Sequence, residues 1–155
     1  MEIKKGVTIN KPAEELYRYW RKLDTLPSFM KDLESVTVAD DRRSRWTAKG
    51  AEAEIYEWEA EITGDQINER IAWRSVTGEV RQEGAVTFKP APGNRGTEVR
   101  VAMQYNPPGG KLEALTKKLF GEDPATRVHE DLLRFKALME TGEIPTIQGQ
   151  PTGPV

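Results

Sequence analysis

Apolar and charged residues alternate most regularly between residues 54 and 62 of the sequence. One side of the alternation carries Tyr56, Trp58, Ala60 and Ile62, and the other carries Glu57, Glu59 and Glu61. A period of two is typical of a β-strand with one face in the core and the other in water. A slip of one residue would bury three glutamates, so the pattern also fixes the register of this strand.

Six further segments share the period of two, and we predict strands at residues 3–9, 33–38, 44–49, 70–76, 84–89 and 97–105. From the second strand onward, the connections are short and contain turn-forming residue types, without room for a helix. Sequential strands joined in this way are expected to pair antiparallel. The sequence therefore predicts about seven strands in one antiparallel sheet.

A helical period follows the first strand and predicts a helix at residues 12–22. Its apolar face consists of Leu16, Tyr19, Trp20 and Leu23, which recur at spacings of three and four. Pro12 suits the first turn, where its missing N–H is harmless, and the two glutamates after it favour a helix start. Residues 26–30 then predict a break and a second short helix.

The closing helix is predicted at residues 124–141, with Asp123 as its cap and Pro124 at its first position. Gly142 stands where a helix C-terminal cap is expected. The apolar stripe of this helix consists of Val128, Leu132, Phe135, Leu138 and Met139. A shorter amphipathic helix is predicted before it, at residues 111–120.

The order of these elements indicates an α+β fold in which a curved, seven-stranded antiparallel sheet wraps around the long C-terminal helix. Such an arrangement leaves a hollow between sheet and helix. We expect residues 1–142 to form one domain, since 155 residues suit a single core. Residues 143–155 are rich in proline and glycine and poor in apolar residues, so we expect an extended or loosely ordered tail.

Composition narrows the classes of function. The 23 basic and 25 acidic residues give a net charge of −2, so nucleic acid is not an expected partner. No apolar run approaches the ~18 residues of a membrane span, and the first residues lack the features of a secretory signal, so we expect a cytoplasmic protein. The chain has no cysteine, which excludes disulfides, thiol nucleophiles and thiolate metal sites. No cofactor is expected, and the oligomeric state stays open.

Four stretches of the sequence resemble one known family. They are residues 7–17 (VTINKPAEELY), 58–62 (WEAEI), 68–75 (NERIAWRS) and 96–99 (GTEV). These stretches resemble the polyketide cyclase/dehydrase group of the START-like superfamily of helix-grip proteins, also called birch-pollen-allergen-like or SRPBCC. The similarity spans about residues 3 to 140, and none of its motifs is a catalytic signature.

The resemblance implies a helix-grip fold, in which a seven-stranded antiparallel sheet grips a long C-terminal helix. It also implies two short helices after the first strand, and a cavity. Members of the superfamily variously cyclise polyketide chains, carry lipids, sterols or quinones, or bind plant hormones. The resemblance therefore implies a hydrophobic small-molecule ligand more than it implies any one reaction.

The candidate ligand-binding positions combine the inner face of the predicted sheet with the stripe of the closing helix. They are Trp46, Tyr56, Trp58, Trp73, Ser75, Phe88, Met103, Tyr105, Leu132 and Phe135. Large side chains at such positions are typical of a packed core. They are also typical of a ligand cavity, because tryptophan and tyrosine bring a few polar groups into an apolar wall. The sequence leaves both interpretations open.

Three hypotheses for function follow. The first is binding of a lipid, a quinone or a polyketide-like molecule in the hollow, and the second is a polyketide aromatase/cyclase or dehydratase. An enzyme would need polar groups in the hollow, and Tyr56, Ser75 and Tyr105 are the candidate donors. The third is an accessory interaction domain with a filled core, which a cavity below ~300 Å³ would favour.

Three other candidates for a functional role, namely His129, a metal site and Arg74, have less support in the sequence. His129 is the sole histidine and lies one residue beyond the apolar stripe, so we expect it to be exposed on the helix. A single histidine without cysteine gives no zinc spacing, and no metal site is expected. Arg74 falls on the face opposite Trp73, which predicts a solvated arginine and not a ligand contact.

Overall fold

A computed structural model of the chain describes residues 2–50, 53–78, 80–105 and 124–142. The helix predicted at residues 111–120, the Asp123 cap and the tail at residues 143–155 lie outside these ranges. So does the side chain of Tyr105, whose backbone closes the last strand.

Seven strands form a single curled antiparallel sheet. Their bounds are β1 (Glu2–Ile9), β2 (Leu33–Val38), β3 (Arg43–Lys49), β4 (Ile55–Gln66), β5 (Arg70–Gly78), β6 (Gln82–Pro90) and β7 (Thr97–Tyr105). In space the order is β1-β7-β6-β5-β4-β3-β2, so the strands from β2 to β7 pair with their sequence neighbours and β1 joins at the far edge. The predicted α+β class and strand number are confirmed.

The fourth strand is longer than predicted. Alternation ended the prediction at residue 62, yet β4 continues to Gln66 through a register shift between Ile62 and Gly64. Gly64 and Asp65 resemble turn residues in sequence, but they pair with Ala72 and Ile71 of β5. A bulge inserts an extra residue and bends the strand, so the apparent turn is part of the curvature of the sheet.

Two helical segments follow β1. The first is α1 (Ala13–Arg21), one residue shorter at each end than predicted, and the second is a 3₁₀ turn at Leu23–Ser28. Arg21 ties α1 to the bulged end of β4, because its Nε donates to Asp65 Oδ2 at 2.8 Å. The two segments thereby cover one end of the sheet.

The closing helix, α2 (Pro124–Thr141), has the predicted bounds. Gly142 follows it with φ of 80°, and its N–H donates to the carbonyl of Leu138 at 2.8 Å. This left-handed cap is the conformation that favours glycine after a helix. The predicted role of Gly142 is confirmed.

The C-terminal half of α2 is fastened to the end of β1. Lys136 Nζ donates to the carbonyl of Thr8 at 2.7 Å, and Glu140 Oε2 accepts the N–H of Asn10 at 2.8 Å. Glu140 also accepts a hydrogen bond from Lys136 at 2.8 Å. The helix is therefore held at this end by polar contacts to backbone groups of the first strand and its turn.

The outer face of the sheet carries the alternating glutamates, and arginines from neighbouring strands pair with them. Arg45 of β3 contacts Glu57 at 2.8 Å, and Arg74 of β5 contacts Glu61 at 2.8 Å. Arg74 is exposed, as predicted. Cross-strand pairs of this kind leave the outer surface of β4 much less acidic than its sequence suggests.

Candidate ligand cavity

A cavity lies between the inner face of the sheet and α2. The volume of the cavity is about 80 Å³. Typical ligand pockets begin near ~300 Å³, so this cavity is small. The described lining consists of Trp20, Phe29, Met30, Asp32, Leu33, Trp46, Ala48, Trp58, Trp73, Val80, Gln82, Val101, Met103, Val128, Asp131 and Leu132.

Three tryptophans from adjacent strands form the sheet wall of the cavity. Trp46 of β3 lies opposite Trp58 of β4 in the sheet register, with ring centroids 5.8 Å apart. Trp46 is also stacked with Trp73 of β5, with centroids 6.4 Å apart. Trp73 pairs in register with Gly84 of β6, which provides the space for the indole because it has no side chain. Alternation on three successive strands thus builds one aromatic surface.

A second aromatic cluster closes the cavity towards α1. Trp20 of α1 lies 5.1 Å from Phe29 and 5.2 Å from Phe135 of α2, measured between ring centroids. Phe29 and Phe135 are themselves 4.7 Å apart. Phe88 of β6 joins this cluster through Trp20, with centroids at 6.4 Å. These contacts pin α2 against α1 and leave little free space at that end.

Most polar atoms of the aromatic walls have no hydrogen-bond partner among the described residues. The buried Nε1 atoms of Trp20, Trp58 and Trp73 lack an acceptor, and the buried Oε1 of Gln82 lacks a donor. Trp46 differs, because its Nε1 donates to Ser44 Oγ at 2.8 Å. A buried polar group without a partner costs free energy, so unpaired groups of this kind are typical of functional sites.

Two carboxylates form one edge of the cavity. Asp32, just before β2, is paired with Arg127 of α2, and Asp131 of α2 is paired with Arg134 one turn later. Asp131 also accepts the backbone N–H of Lys31 at 3.2 Å, and Arg134 Nε donates to the carbonyl of Phe29 at 3.0 Å. These bonds join the N-terminal half of α2 to the segment between α1 and β2.

Burial raises the pKa of Asp131 to about 6, and its contacts with Arg134 only partly offset that rise. Perturbed carboxyl groups in clefts are typical of functional sites, although structural ion pairs also produce them. Neither Asp131 nor Asp32 is among the ten positions predicted from the sequence. A signal for Asp131 was present, because it stands three residues after Val128 and four before Phe135, on the same face of α2.

The structure brings together half of the ten predicted positions. Trp46, Trp58, Trp73, Met103 and Leu132 line the cavity. Tyr56, Ser75, Phe88 and Phe135 do not belong to its described lining, and the side chain of Tyr105 lies outside the described residues.

Three of these four residues make contacts elsewhere in the interior. Phe88 and Phe135 fill the aromatic cluster around Trp20, and Ser75 uses its Oγ to accept the N–H of Gln82 at 3.0 Å. Tyr56 is buried on β4, two residues before Trp58. Tyr56, Ser75 and Phe88 therefore lie elsewhere on the sheet and Phe135 lies on α2, outside the described lining. The assignment of the ten positions to a ligand site stays a prediction.

His129 is not exposed as predicted. It is half-buried, and its Nδ1 is buried without a partner among the described residues, away from the cavity lining. In the described ranges, no three histidine, aspartate or glutamate side chains are grouped to hold a metal ion. Within the same ranges, no helix has the length and apolarity needed to cross a membrane.

Comparison with known families identifies the group to which this architecture belongs. Residues 9–132 match the model of the family described as polyketide cyclase/dehydrase and lipid transport. The protein belongs to this family. The match runs from the end of β1 into the middle of α2, so it covers the sheet and most of the cavity walls.

Two proteins are similar to this member of the polyketide cyclase/dehydrase family over nearly its whole length. The crystal structure of DR_A0006 from Deinococcus radiodurans is 43% identical, with a TM-score of 0.75 over 92% of this chain and 99% of that one. An uncharacterized 17.2 kDa protein from the melC2–rnhH intergenic region of Streptomyces lincolnensis is 28% identical over 98% of this chain and 94% of its own.

A more distant structure shows the fold alone. A START superfamily protein from Mycobacterium smegmatis is 15% identical, with a TM-score of 0.69 over 89% of this chain and 98% of that one. The predicted START-like helix-grip architecture is thereby confirmed. The description of the family covers both polyketide cyclase/dehydrase chemistry and lipid transport.

Proposed function

We propose that this protein binds a small hydrophobic molecule in the cavity between the sheet and α2. The observation that carries the proposal is the wall itself, where Trp46, Trp58 and Trp73 form an apolar surface opposite Leu132 of α2. Burial of apolar ligand surface against such a wall contributes about 25 cal/mol per Å² before ordering costs are subtracted.

The volume of the cavity limits the ligand. About 80 Å³ is below the usual range of ligand pockets, so a ligand has to displace wall side chains on entry. Met30 and Met103 both line the cavity and are only partly buried, and methionine changes its shape at low cost. We propose that movement of these two residues widens the cavity for a compact, planar ligand.

The small volume also favours a second candidate function, an interaction domain with a filled core.

Native mass spectrometry of the protein purified without added ligand distinguishes ligand binding from a filled core. Under the ligand-binding proposal, part of the protein carries an extra small-molecule mass that disappears on unfolding. Leu132→Phe, which fills the cavity, should remove this mass, and Leu133→Phe on the exposed side of the same helix should keep it.

Absence of any bound mass, together with no thermal shift across a panel of lipids and aromatic compounds, would overturn the ligand-binding proposal. In that case the filled-core alternative holds. The two leucine variants are a matched pair, because both introduce the same larger side chain and, of the two positions, Leu132 is the one that lines the cavity.

An enzymatic function of the cyclase/dehydratase type is favoured by one observation, the placement of Asp131. Its carboxyl group borders the cavity and has a pKa of about 6, raised by burial, which suits a general acid or base near neutral pH. A poly-β-keto substrate analogue provides the test. Under this alternative, Asp131→Asn abolishes turnover and keeps binding; lack of turnover by the unaltered protein excludes it.

A further inference from the structure

We infer that the outer face of the sheet docks an amphipathic helix of a partner protein, with basic residues along one flank of that helix and acidic residues along the other. The outer face lies on the opposite side of the sheet from the cavity, so this interaction is separate from the proposed ligand binding. Two features of the face carry the inference: a groove across the strands, and the charges along its two sides.

The groove has a floor of small side chains. Its volume is about 410 Å³, which is larger than that of the cavity under α2. Ala72 of β5, Ala85 of β6 and Ala102 of β7 line the groove and lie opposite one another in the sheet register. Gly64 of β4 continues the row beyond Ala72. Ala72 is only 6% exposed, so the longer side chains beside it rise above its methyl group.

Longer side chains stand on both sides of this floor, two residues away along each strand. The acidic side consists of residues opposite one another on β5, β6, β7 and β1, namely Arg74, Glu83, Gln104 and Glu2. The basic side consists of residues opposite one another on β5, β6 and β7, namely Arg70, Thr87 and Arg100. Four residues of strand separate the two sides, which corresponds to about 13 Å between their backbones.

The two sides of the groove carry free charges of opposite sign. Three ion pairs engage other charged residues here: Arg74 with Glu61, Arg100 with Glu98, and Lys4 with Glu2. Glu83 and Arg70 are both exposed, and in the part of the chain that the structure describes neither of them forms an ion pair. A partner in the groove therefore meets a free carboxylate on one side and a free guanidinium on the other.

The dimensions of the groove fit an α-helix that lies across the strands. A helix with its side chains is about 10–12 Å in diameter, so it lies between two sides that are about 13 Å apart. One helical turn rises about 5.4 Å, close to the spacing of about 4.8 Å between strands, so apolar side chains on successive turns meet successive alanines. An extended segment would turn backbone N–H and C=O groups towards these methyl groups, where they would lack partners.

The charges of the groove determine the flanks of the helix. Basic residues facing Glu83 and acidic residues facing Arg70 form ion pairs on both sides, whereas a helix with one sign of charge on both flanks is repelled on one side. The alanine floor requires large apolar side chains on the face between the flanks, because small ones would leave the groove unfilled. The partner helix therefore has leucine-like anchors, one basic flank and one acidic flank.

Three synthetic helical peptides of about 14 residues provide the test. All carry leucines along one face. The mixed-charge peptide has lysines on one flank and glutamates on the other, and the two control peptides have lysines on both flanks or glutamates on both. Fluorescence anisotropy of labelled peptides should show the mixed-charge peptide binding about tenfold more tightly than either control at low salt, and less than about twofold more tightly at about 0.5 M NaCl.

Variants of the groove check the charges and the floor separately. Glu83→Lys should weaken binding of the mixed-charge peptide about fivefold. Adding Arg70→Glu to this variant should restore binding, because the charges of the two sides are then exchanged and the helix binds in the reverse direction. Ala85→Leu should weaken binding of all three peptides because it fills the floor, and Thr37→Leu, on the outer face of β2, is the control that should leave binding unchanged.

Equal affinities of the three peptides at low salt, no binding of the mixed-charge peptide, or a double charge reversal that fails to restore binding would each overturn the inference. Sedimentation velocity of the protein alone tests a second copy as the occupant, and we expect a monomer. Self-association that Ala85→Leu removes and Thr37→Leu keeps would assign the groove to a dimer contact and overturn helix docking. Each of these results leaves the proposed ligand binding in the cavity untouched.

Discussion

The indole of Trp73 occupies the space that a side chain at position 84 would need. A β-carbon placed on Gly84 would lie 2.8 Å from Cζ2 and 3.1 Å from Cε2 of Trp73, and 3.1 Å from the carbonyl oxygen of Ala102. The strand pairing places the two residues opposite each other on β5 and β6. The glycine therefore sets the position of a tryptophan in the cavity wall.

Gly84→Ala should force the Trp73 indole towards the cavity. We expect a loss of stability of about 1–3 kcal/mol in urea denaturation, together with a moved Trp73 indole signal, because overpacked cores respond in this way. Gly6→Ala is the control in another strand, where the new β-carbon meets the flexible Cγ of Arg100 at 3.2 Å and the carbonyl oxygen of Val99 at 3.3 Å, both farther away than Cζ2 of Trp73 is from position 84. Equal effects of the two variants would contradict the close approach described for Trp73.

Leu132 and Leu133 are neighbours on α2 with opposite environments, at 1% and 45% exposure. Leu132→Ala should destabilise the protein by about 2–5 kcal/mol, since it removes buried methyl groups at the cavity. It should also enlarge the cavity and raise the affinity for naphthalene. Leu133→Ala should change stability by less than about 1 kcal/mol. Thermal and urea denaturation with calorimetric titration measure both effects; a small cost at position 132 would show that α2 does not cover the cavity.

Asp131 should make stability depend on pH between about 4 and 6. Its pKa is raised to about 6 in the folded protein, from an ordinary value of 3.8, because burial disfavours the charged form. Asp131 therefore contributes its full stabilisation below its unfolded pKa, where the group is protonated. This stabilisation is lost as pH rises through about 6. Compared with Asp131→Asn, the unaltered protein should lose about 2 kcal/mol between pH 4 and pH 7. Asp24→Asn, at an exposed aspartate, controls for the change of side chain; parallel pH curves for Asp131→Asn and the unaltered protein would contradict the raised pKa.

Glu140 should make the protein more stable as pH rises, which is the opposite of the effect of Asp131. The N–H of Asn10, followed by Lys136, lowers the pKa of Glu140, so its stabilising contribution is present above the unfolded pKa and is lost as pH falls through the folded one. Glu140→Gln should cost about 1 kcal/mol at neutral pH and nothing in acid, as measured by urea denaturation. Glu130→Gln, at an exposed position of the same helix, should cost little at either pH. A cost at position 140 that persists in acid would show that its charge plays no part.

The sequence predicted the sheet, its strand order along the chain and the bounds of α2, because strict alternation and a regular helical stripe mark local structure directly. It could not predict the depth of a residue along a strand. Phe88 and Trp73 both face inward, yet curvature places Phe88 under α1 and Trp73 at the cavity. The bulge after Ile62 bends β4, yet in the sequence it looks like a turn.

The polar edge of the cavity was missed for a different reason. Asp131 lies on the inner face of α2, but a carboxylate within an apolar stripe is ordinarily assigned to solvent. The buried carboxylate is stabilised by Arg134, one turn later, and by the backbone N–H of Lys31, which is 100 residues away in sequence. A partner as distant as Lys31 cannot be recognised from local patterns.

The edge position of β1 affects how the protein folds during its synthesis. Its neighbour in the sheet, β7, begins at Thr97, and the helix that fastens its end begins at Pro124. At about 5–20 residues per second, the first strand emerges from the ribosome about 5–20 s before its partner exists. Ile3 and Ile9, both buried in the finished protein, stay uncovered during that interval. Translation speed and chaperone access during those seconds should therefore influence the yield of folded protein more than changes at the other edge of the sheet, where β2 and β3 form a hairpin as soon as they are synthesised.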